Sequence, residues 1–246
     1  MMNTLPDAIF LTETASTNLY LKQLSDSKRQ PDETAVVSDY QSAGRGQIGN
    51  SWSSEAGNNL TFSILYYPQN LAANKSFLIA EMTALSVKRA LDKFVGDIRV
   101  KWSNDIYWQD RKICGILIEN DISDGLIARS IIGIGLNINQ TEFSPELPNP
   151  VSLQQITGLT YDRIQILDEI RAAFHSIRQQ AETGGADDVK REYRRSLYRS
   201  EGFFTFKDTN GSFEAHIHHI EPDGHLVLER ADGTFSRYAF KEVEFL

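Results

Sequence analysis

One cysteine, Cys114, in 246 residues leaves no partner for an internal disulfide, so the chain does not read as a stapled extracellular scaffold. Positive charge is also scarce. With 25 Lys and Arg against 33 Asp and Glu, the net charge is −8, and the basic face that a broad nucleic-acid footprint needs is missing. No apolar run approaches the roughly 20 residues of a membrane-spanning helix. The start, Met1-Met2-Asn3-Thr4-Leu5-Pro6-Asp7, lacks the basic-then-apolar order of a secretory signal. These absences predict a cytoplasmic protein with neither nucleic acid nor membrane as partner. A G-x-x-x-x-G-K-S/T phosphate loop, a Ser-His-Asp order and internal repeats are absent as well. What remains, 41% hydrophobic and 24% charged residues, suffices for a full core and a small second unit.

The most informative segment present is Gln41-Ser42-Ala43-Gly44-Arg45-Gly46-Gln47-Ile48-Gly49-Asn50-Ser51-Trp52. Glycines allow backbone N–H groups to turn inward as a nest for carboxylate or phosphate oxygens, Arg45 can cover the bound charge, and Trp52 offers a flat face to a ring. Gly44, Gly46 and Gly49 spell G-x-G-x-x-G, yet a dinucleotide fingerprint opens a helix. Here a polar stretch leads instead to the strand-like Leu60-Thr61-Phe62-Ser63-Ile64-Leu65-Tyr66, so the loop is expected to join two strands. The plain alternative is a flexible surface loop.

Along the chain, strands are expected at residues 8–13, 34–40, 60–67, 98–102, 112–119 and 127–138, with a helix starting at Ser16-Thr17-Asn18. Apolar residues at helical spacing predict a helix over 76–94 that covers one face of a sheet. An irregular loop around Pro145, Pro148 and Pro150 precedes helices at 161–183 and 187–197. From Arg199 onward, short alternating segments at 203–206, 214–220, 225–228 and 237–240 are separated by Asn210-Gly211, Asp223-Gly224 and Asp232-Gly233, which are hairpin signals. A small barrel-like tail is the economical reading.

Three polar constellations stand out. Lys101-Trp102-Ser103-Asn104-Asp105 is either a sheltered site or a charged hairpin tip. Lys112, opening the apolar strand Lys112-Ile113-Cys114-Gly115-Ile116-Leu117-Ile118-Glu119, is either an anion ligand or an edge-strand gatekeeper. Asn137, read as lying within the last sheet strand, has either a ligand-binding task or a backbone partner. His216 and His218 share a strand face without a suitably spaced carboxylate or cysteine, Cys114 reads as a buried hydrophobe, and His175 as half-buried scaffold.

Taken in order, Ser16-Thr17-Asn18, the loop at 44–52, Lys101-Trp102-Ser103-Asn104-Asp105, Lys112-x-x-Gly115-Ile116-Leu117-x-Glu119 and Gly133-x-Gly135-x-Asn137 resemble the biotin protein ligases. The resemblance implies an α+β fold in which a mixed β-sheet with flanking helices, of the class II synthetase-like or biotin–lipoate ligase type, precedes a small SH3-like β-barrel. The expected units are a ligase domain at 1–198 and the barrel at 199–246. A first strand near residue 8 leaves no room for a winged-helix domain, so the ligase-only form is expected.

The implied activity consumes ATP with Mg²⁺ to make biotinyl-5′-AMP, then transfers biotin to a lysine of a biotin carboxyl carrier protein domain. By resemblance Ser16, Thr17, Asn18 and Gln41 would hold the ureido ring, and Arg45 with Gly44, Gly46, Gln47 and Gly49 the carboxylate and phosphate. Trp52, Gly115 and Asn137 would frame the adenylate, and Lys101 and Asn104 the triphosphate and Mg²⁺. Lys112 would stabilise developing charge, and Asp105 would take the acceptor lysine's proton, orient its amine or bind metal. No residue is assigned as a direct metal ligand. The sequence departs from the family pattern at Gln47 and Asn50, where arginines are common, and at Ser103, often proline. Weaker retention of the adenylate or a changed loop ordering is the expected consequence, with activity kept by Arg45 and the glycines. A lipoate or octanoate ligase and a non-catalytic biotin-binding module are the competing readings, and exposed strand edges offer a route to a homodimer.

Overall fold

The computed structural model describes residues 5–47 and 49–246. The first four residues, part of the segment read for a targeting signal, and Ile48 of the glycine loop lie outside the described residues. Seven strands, β1 (Ile9–Thr14), β2 (Ala35–Gln41), β3 (Leu60–Tyr66), β4 (Ile98–Lys101), β5 (Asp105–Trp108), β6 (Arg111–Ser123) and β7 (Leu126–Leu136), form one sheet in the order β1-β2-β3-β7-β6-β5-β4. Only β1 and β2 run parallel. The helix α1 (Thr17–Ser27) makes that parallel crossover, as a parallel pair requires.

Alternation along the strands assigns the two faces. Val37, Phe62, Ile64, Ile132 and Ile134 join the main core, whereas Val36, Leu65 and Ile131 pack with Leu21 of α1. Two further long helices, α2 (Phe77–Leu91) and α4 (Arg163–Gln180), pack together on the main-core face. The short α3 (Leu153–Thr157) precedes α4, and α5 (Ala186–Arg195) follows it after a turn in which Gly184 takes φ +101°. Arg178 of α4 ion-pairs with Asp32 and, at 3.0 Å, with Glu33, while His175 Nδ1 lies 2.7 Å from Glu33, fixing α4 against the entry to β2.

The tail folds as a second sheet of five antiparallel strands, β8 (Phe204–Asp208), β9 (Gly211–Ile220), β10 (Leu226–Arg230), β11 (Phe235–Tyr238) and β12 (Glu244–Phe245), ordered β11-β10-β9-β8-β12. Its turns contain Gly211, Gly224 and Gly233 at positive φ, the conformation that makes Asn-Gly and Asp-Gly hairpin signals. Phe206, Ile217, Leu226 and Leu228 belong to the same continuous buried cluster as the helices α2 and α4. So small a sheet buries too little alone and draws on the larger core.

Four elements were not anticipated from the sequence: β5, α3, the two-residue β12 and a 3₁₀ turn at Ala73–Lys75. His216 meets Glu229 across the β9–β10 ladder at 3.4 Å, a carboxylate partner that strand register supplies and sequence spacing hides. Cys114 is fully buried, and burial holds its thiol far above the ordinary range, as befits a small hydrophobe. Among the described residues, no helix is long and apolar enough to cross a membrane.

Candidate active site

On the α1 face the helix covers β2, β3 and β7, and the rest of that face is open as a cleft of about 550 Å³. Glycine makes the room. Gly115 of β6 and Gly135 of β7 are cross-strand partners, and their bare backbone forms a floor against which Trp52 packs. A Cβ on Gly135 would fall 2.2 Å from Trp52 Cε2, and one on Gly115 would fall 3.1 Å from Cζ3. The Trp52 indole N–H is buried there without a partner, a donor left for a ligand's acceptor.

The N-terminus of α1 forms one wall. Because Thr14 pairs with Gln41 across the parallel ladder, the ends of β1 and β2 bring Gln41 beside the helix start. Thr17 N and Oγ1 both donate to Gln41 Oε1, at 2.7 and 3.1 Å. Asn18 is the hub below them: its Oδ1 accepts from Ser63 Oγ at 2.6 Å, and its Nδ2 donates to Glu119 Oε2 at 2.8 Å and to Leu117 O at 3.3 Å. It fits only because residue 133 is glycine, whose Cβ would lie 2.4 Å from Asn18 Oδ1. With their hydrogen-bonding groups engaged, Asn18 and Thr17 shape the wall, while Ser16 at the helix N-terminus presents the polarity that suits a carbonyl or anion.

The glycine loop joins β2 to β3, as expected, and is itself a tight hairpin. Arg45 bridges Ser51, Gly46 N donates to Asn50 O at 3.0 Å, Asn50 N to Gln47 O at 2.8 Å, and Trp52 N to Gly44 O at 3.0 Å. Gly49 turns it at φ +85°. Of the amides expected to make an anion nest, that of Gly46 is thus spent inside the loop. Arg45 Nη2 donates at 2.7 Å to Glu119 Oε2, the same oxygen that Asn18 holds.

The far wall comes from β5 and β6. Lys101 pairs with Asp105, so Trp102-Ser103-Asn104 is a hairpin tip, of which Asn104 lines the cleft beside Asp105. Asn104 Nδ2 donates to Ile116 O at 2.7 Å and Ile116 N to Asn104 O at 2.9 Å, clamping the tip to β6. Lys112 Nζ sits 2.7 Å from Asp105 Oδ1, with the lysine side chain one third exposed. An edge-strand role for Lys112 is excluded by the strand order, because β6 lies between β7 and β5. Asn137 falls one residue past β7, not within it, and donates from Nδ2 to Val151 O at 3.1 Å. Its amide thus has the backbone partner weighed for it, while the residue still lines the cleft.

Of the residues singled out in the sequence, Ser16, Thr17, Asn18, Gln41, Arg45, Gly46, Gln47, Gly49, Trp52, Asn104, Asp105, Lys112, Gly115 and Asn137 line this one cleft. Gly44 and Lys101 do not. Gly44 backs Trp52, whose carbonyl oxygen would lie 2.2 Å from a Cβ there. Lys101 Nζ donates to Tyr107 Oη at 3.1 Å and lies 5.5 Å from the Phe245 ring, so it stands behind Tyr107 of the cleft lining. Tyr107, Asn149, Pro150 and Phe240 line the cleft without having been singled out. The proline cluster was the one available signal for the 149–150 segment, whose strand-like bridge to Lys112 appears only in the fold.

Similarity to known proteins agrees with this architecture. The bifunctional ligase/repressor BirA of Bacillus subtilis is 29% identical over 213 residues, covering 85% of this chain and 65% of its own length. The chain therefore spans less than two thirds of that relative. The biotin–[acetyl-CoA-carboxylase] ligase of Paracoccus denitrificans is 29% identical over 211 residues, 80% of this chain and 85% of its own. The biotin protein ligase of Aquifex aeolicus, solved with biotin and ATP, superposes with a TM-score of 0.80 over 98% of this chain and 99% of its own at 24% identity, a likeness of fold. The Biotin/lipoate A/B protein ligase family model matches residues 10–137, just over half of the chain, and the chain belongs to that family.

Proposed function

We propose that the chain is an ATP-dependent biotin protein ligase, which activates biotin as biotinyl-5′-AMP and transfers it to a lysine of a biotin carboxyl carrier protein domain. The observation that carries the reading is the division of one cleft into a hydrogen-bonding wall, Ser16, Thr17 and Gln41, and a charged wall, Lys112 with Asp105 and Asn104. A ureido ring brings two N–H groups and a carbonyl that must be paired on burial, which suits the first wall. A carboxylate and a phosphate suit the second, with Arg45 from the loop. The activity named for the Paracoccus relative supports the assignment.

In the first step a biotin carboxylate oxygen attacks the α-phosphorus of ATP, a P–O bond forms, and pyrophosphate leaves with the electron pair of the broken bond. Lys112 lies where negative charge accumulates, a preorganised interaction typically worth about 3–4 kcal/mol. To serve the ligand its ammonium must be shared with, or drawn from, Asp105. Arg45 is likewise held by Glu119 until an incoming anion competes for it. Mg²⁺ would supply charge neutralisation on the triphosphate, with Asn104 the oxygen donor that would hold it at that wall.

In the second step the carrier lysine's amine attacks the acyl carbon and AMP leaves. An ordinary lysine costs roughly 4–5 kcal/mol to deprotonate at neutral pH. Asp105, paired with Lys112 until the phosphate draws the lysine away, accepts that proton.

The test is pyrophosphate release by the purified protein with ATP and Mg²⁺, supplied with biotin or with lipoate. Release with biotin only is expected. Release with lipoate only would replace the substrate, since a dithiolane or alkyl chain offers nothing to Thr17 and Gln41. Tight biotin binding without release would make the protein a binding module.

A further inference from the structure

Glu119 stands behind the cation of the glycine loop. Alternation along β6 puts Gly115, Leu117 and Glu119 on one face of the sheet, and the first two line the cleft while Glu119 does not. Its Oε2 accepts from two donors that come from different parts of the cleft, Asn18 Nδ2 at 2.8 Å and Arg45 Nη2 at 2.7 Å. Asn18 is 3% exposed and is itself fixed, because Ser63 Oγ donates to its Oδ1 at 2.6 Å and lies 2.8 Å from Thr17 Oγ1. One carboxylate oxygen therefore joins the loop to the framework that carries Thr17 and Gln41.

Stability does not account for this pair. The Arg45 and Glu119 side chains are 43% and 34% exposed, and an ion pair so solvated contributes little to folding. Placement does. The bonds of Gly46, Asn50 and Trp52 close the loop on itself, whereas the Arg45 side chain reaches across to β6. A guanidinium carries several N–H donors, and the bond to Glu119 leaves others for an anion that competes for Arg45. Arg45 lines the cleft with Glu119 at its back, so the carboxylate serves as an anchor that an anion can share. Fixing a long side chain before the ligand arrives takes that ordering cost out of binding.

We propose that Glu119 is a positioning residue that acts through Arg45, anchoring the loop cation to the wall that holds Asn18 so that it meets the anionic part of the adenylate already in place. This rests on the ligase reading for the identity of the ligand. Calorimetric affinities for presynthesised biotinyl-AMP and for biotin methyl ester, which carries the ureido ring but no charge, are compared among the wild type, Glu119→Gln, Glu119→Asp, Arg45→Met and the double variant Glu119→Gln/Arg45→Met. Glu119→Gln, whose amide oxygen still accepts from Asn18, is expected to weaken biotinyl-AMP about three- to tenfold and to leave the ester unchanged. Glu119→Asp keeps the charge but is too short to hold both donors, and should lose as much adenylate affinity. In the Arg45→Met background the exchange to Gln should cost nothing further, because the two residues act as one unit. A tighter adenylate in Glu119→Gln would make Glu119 a competitor for Arg45 and overturn the proposal. Unchanged adenylate affinity, an equal loss for both ligands, or a loss that persists without Arg45 overturns it too. A wild type that does not bind biotinyl-AMP overturns both this and the ligase reading. One that binds it but shows no biotin-dependent pyrophosphate release overturns the ligase reading alone, while the comparison of variants still decides the role of Glu119.

Discussion

Trp52 packs so closely on Gly135 that a single added methyl would fall 2.2 Å from the indole. The indole and its unpartnered N–H are therefore part of the cleft wall, positioned by a glycine on a strand 83 residues later in the chain. Gly135→Ala should push Trp52 out of place, lowering kcat/KM by roughly tenfold to a hundredfold, in line with the 1–3 kcal/mol usual for overpacking. A shift in tryptophan fluorescence should accompany it. An unchanged spectrum with unchanged kinetics would show that the wall repacks freely.

Lys112→Ala should remove adenylation, with kcat for biotin-dependent pyrophosphate release down about a thousandfold and the fold intact by circular dichroism. Lys112→Arg should not restore it, because the guanidinium cannot reproduce a compact point charge 2.7 Å from Asp105. Near-normal release from folded Lys112→Ala protein would exclude the electrostatic role.

Asp105→Asn separates the two steps. Pyrophosphate release should persist, whereas transfer from supplied biotinyl-AMP should slow and respond steeply to pH, since the acceptor must then lose its proton unaided. Equal slowing of both steps would place Asp105 with Lys112 in the first.

Glu81 in α2 is 7% exposed, and burial raises its carboxyl to about 7, with Lys190 opposing. A carboxyl whose folded pKa exceeds its unfolded value favours folding below about pH 4.5, and that contribution is lost as pH rises through 7. The stability difference between wild type and Glu81→Gln should therefore shift by roughly 3 kcal/mol between pH 5 and pH 8, against the wild type at high pH. Denaturant titrations at the two pH values measure it; a constant difference would mean that Glu81 titrates normally.

Much of the sheet was legible because β2, β3, β6 and β7 carry long Val, Ile and Leu patterns that only strands explain. The β5 strand escaped because it follows Trp102-Ser103-Asn104, a polar tip joining two short strands of four residues each. An edge position stayed open for Lys112 because strand order cannot be read from strand identity, and Asn137 looked internal because the pattern of β7 runs on without a turn signal. The hydrogen-bonding wall was visible as Ser16-Thr17 and Gln41, but its dependence on Gly133 was not, since that contact is made only by folding. Phe240 lies in a hairpin-rich tail with no chemical motif of its own, and only packing brings it to the cleft.

The central claim is that this cleft biotinylates a protein, and intact-mass analysis of a biotin carboxyl carrier protein domain incubated with the enzyme, ATP, Mg²⁺ and biotin tests it most directly. The account predicts a gain of one biotinyl group that needs every component and disappears when the acceptor lysine of the carrier is changed to arginine. A carrier whose mass stays unchanged, with enzyme that is folded and saturated with biotin and ATP, would contradict it.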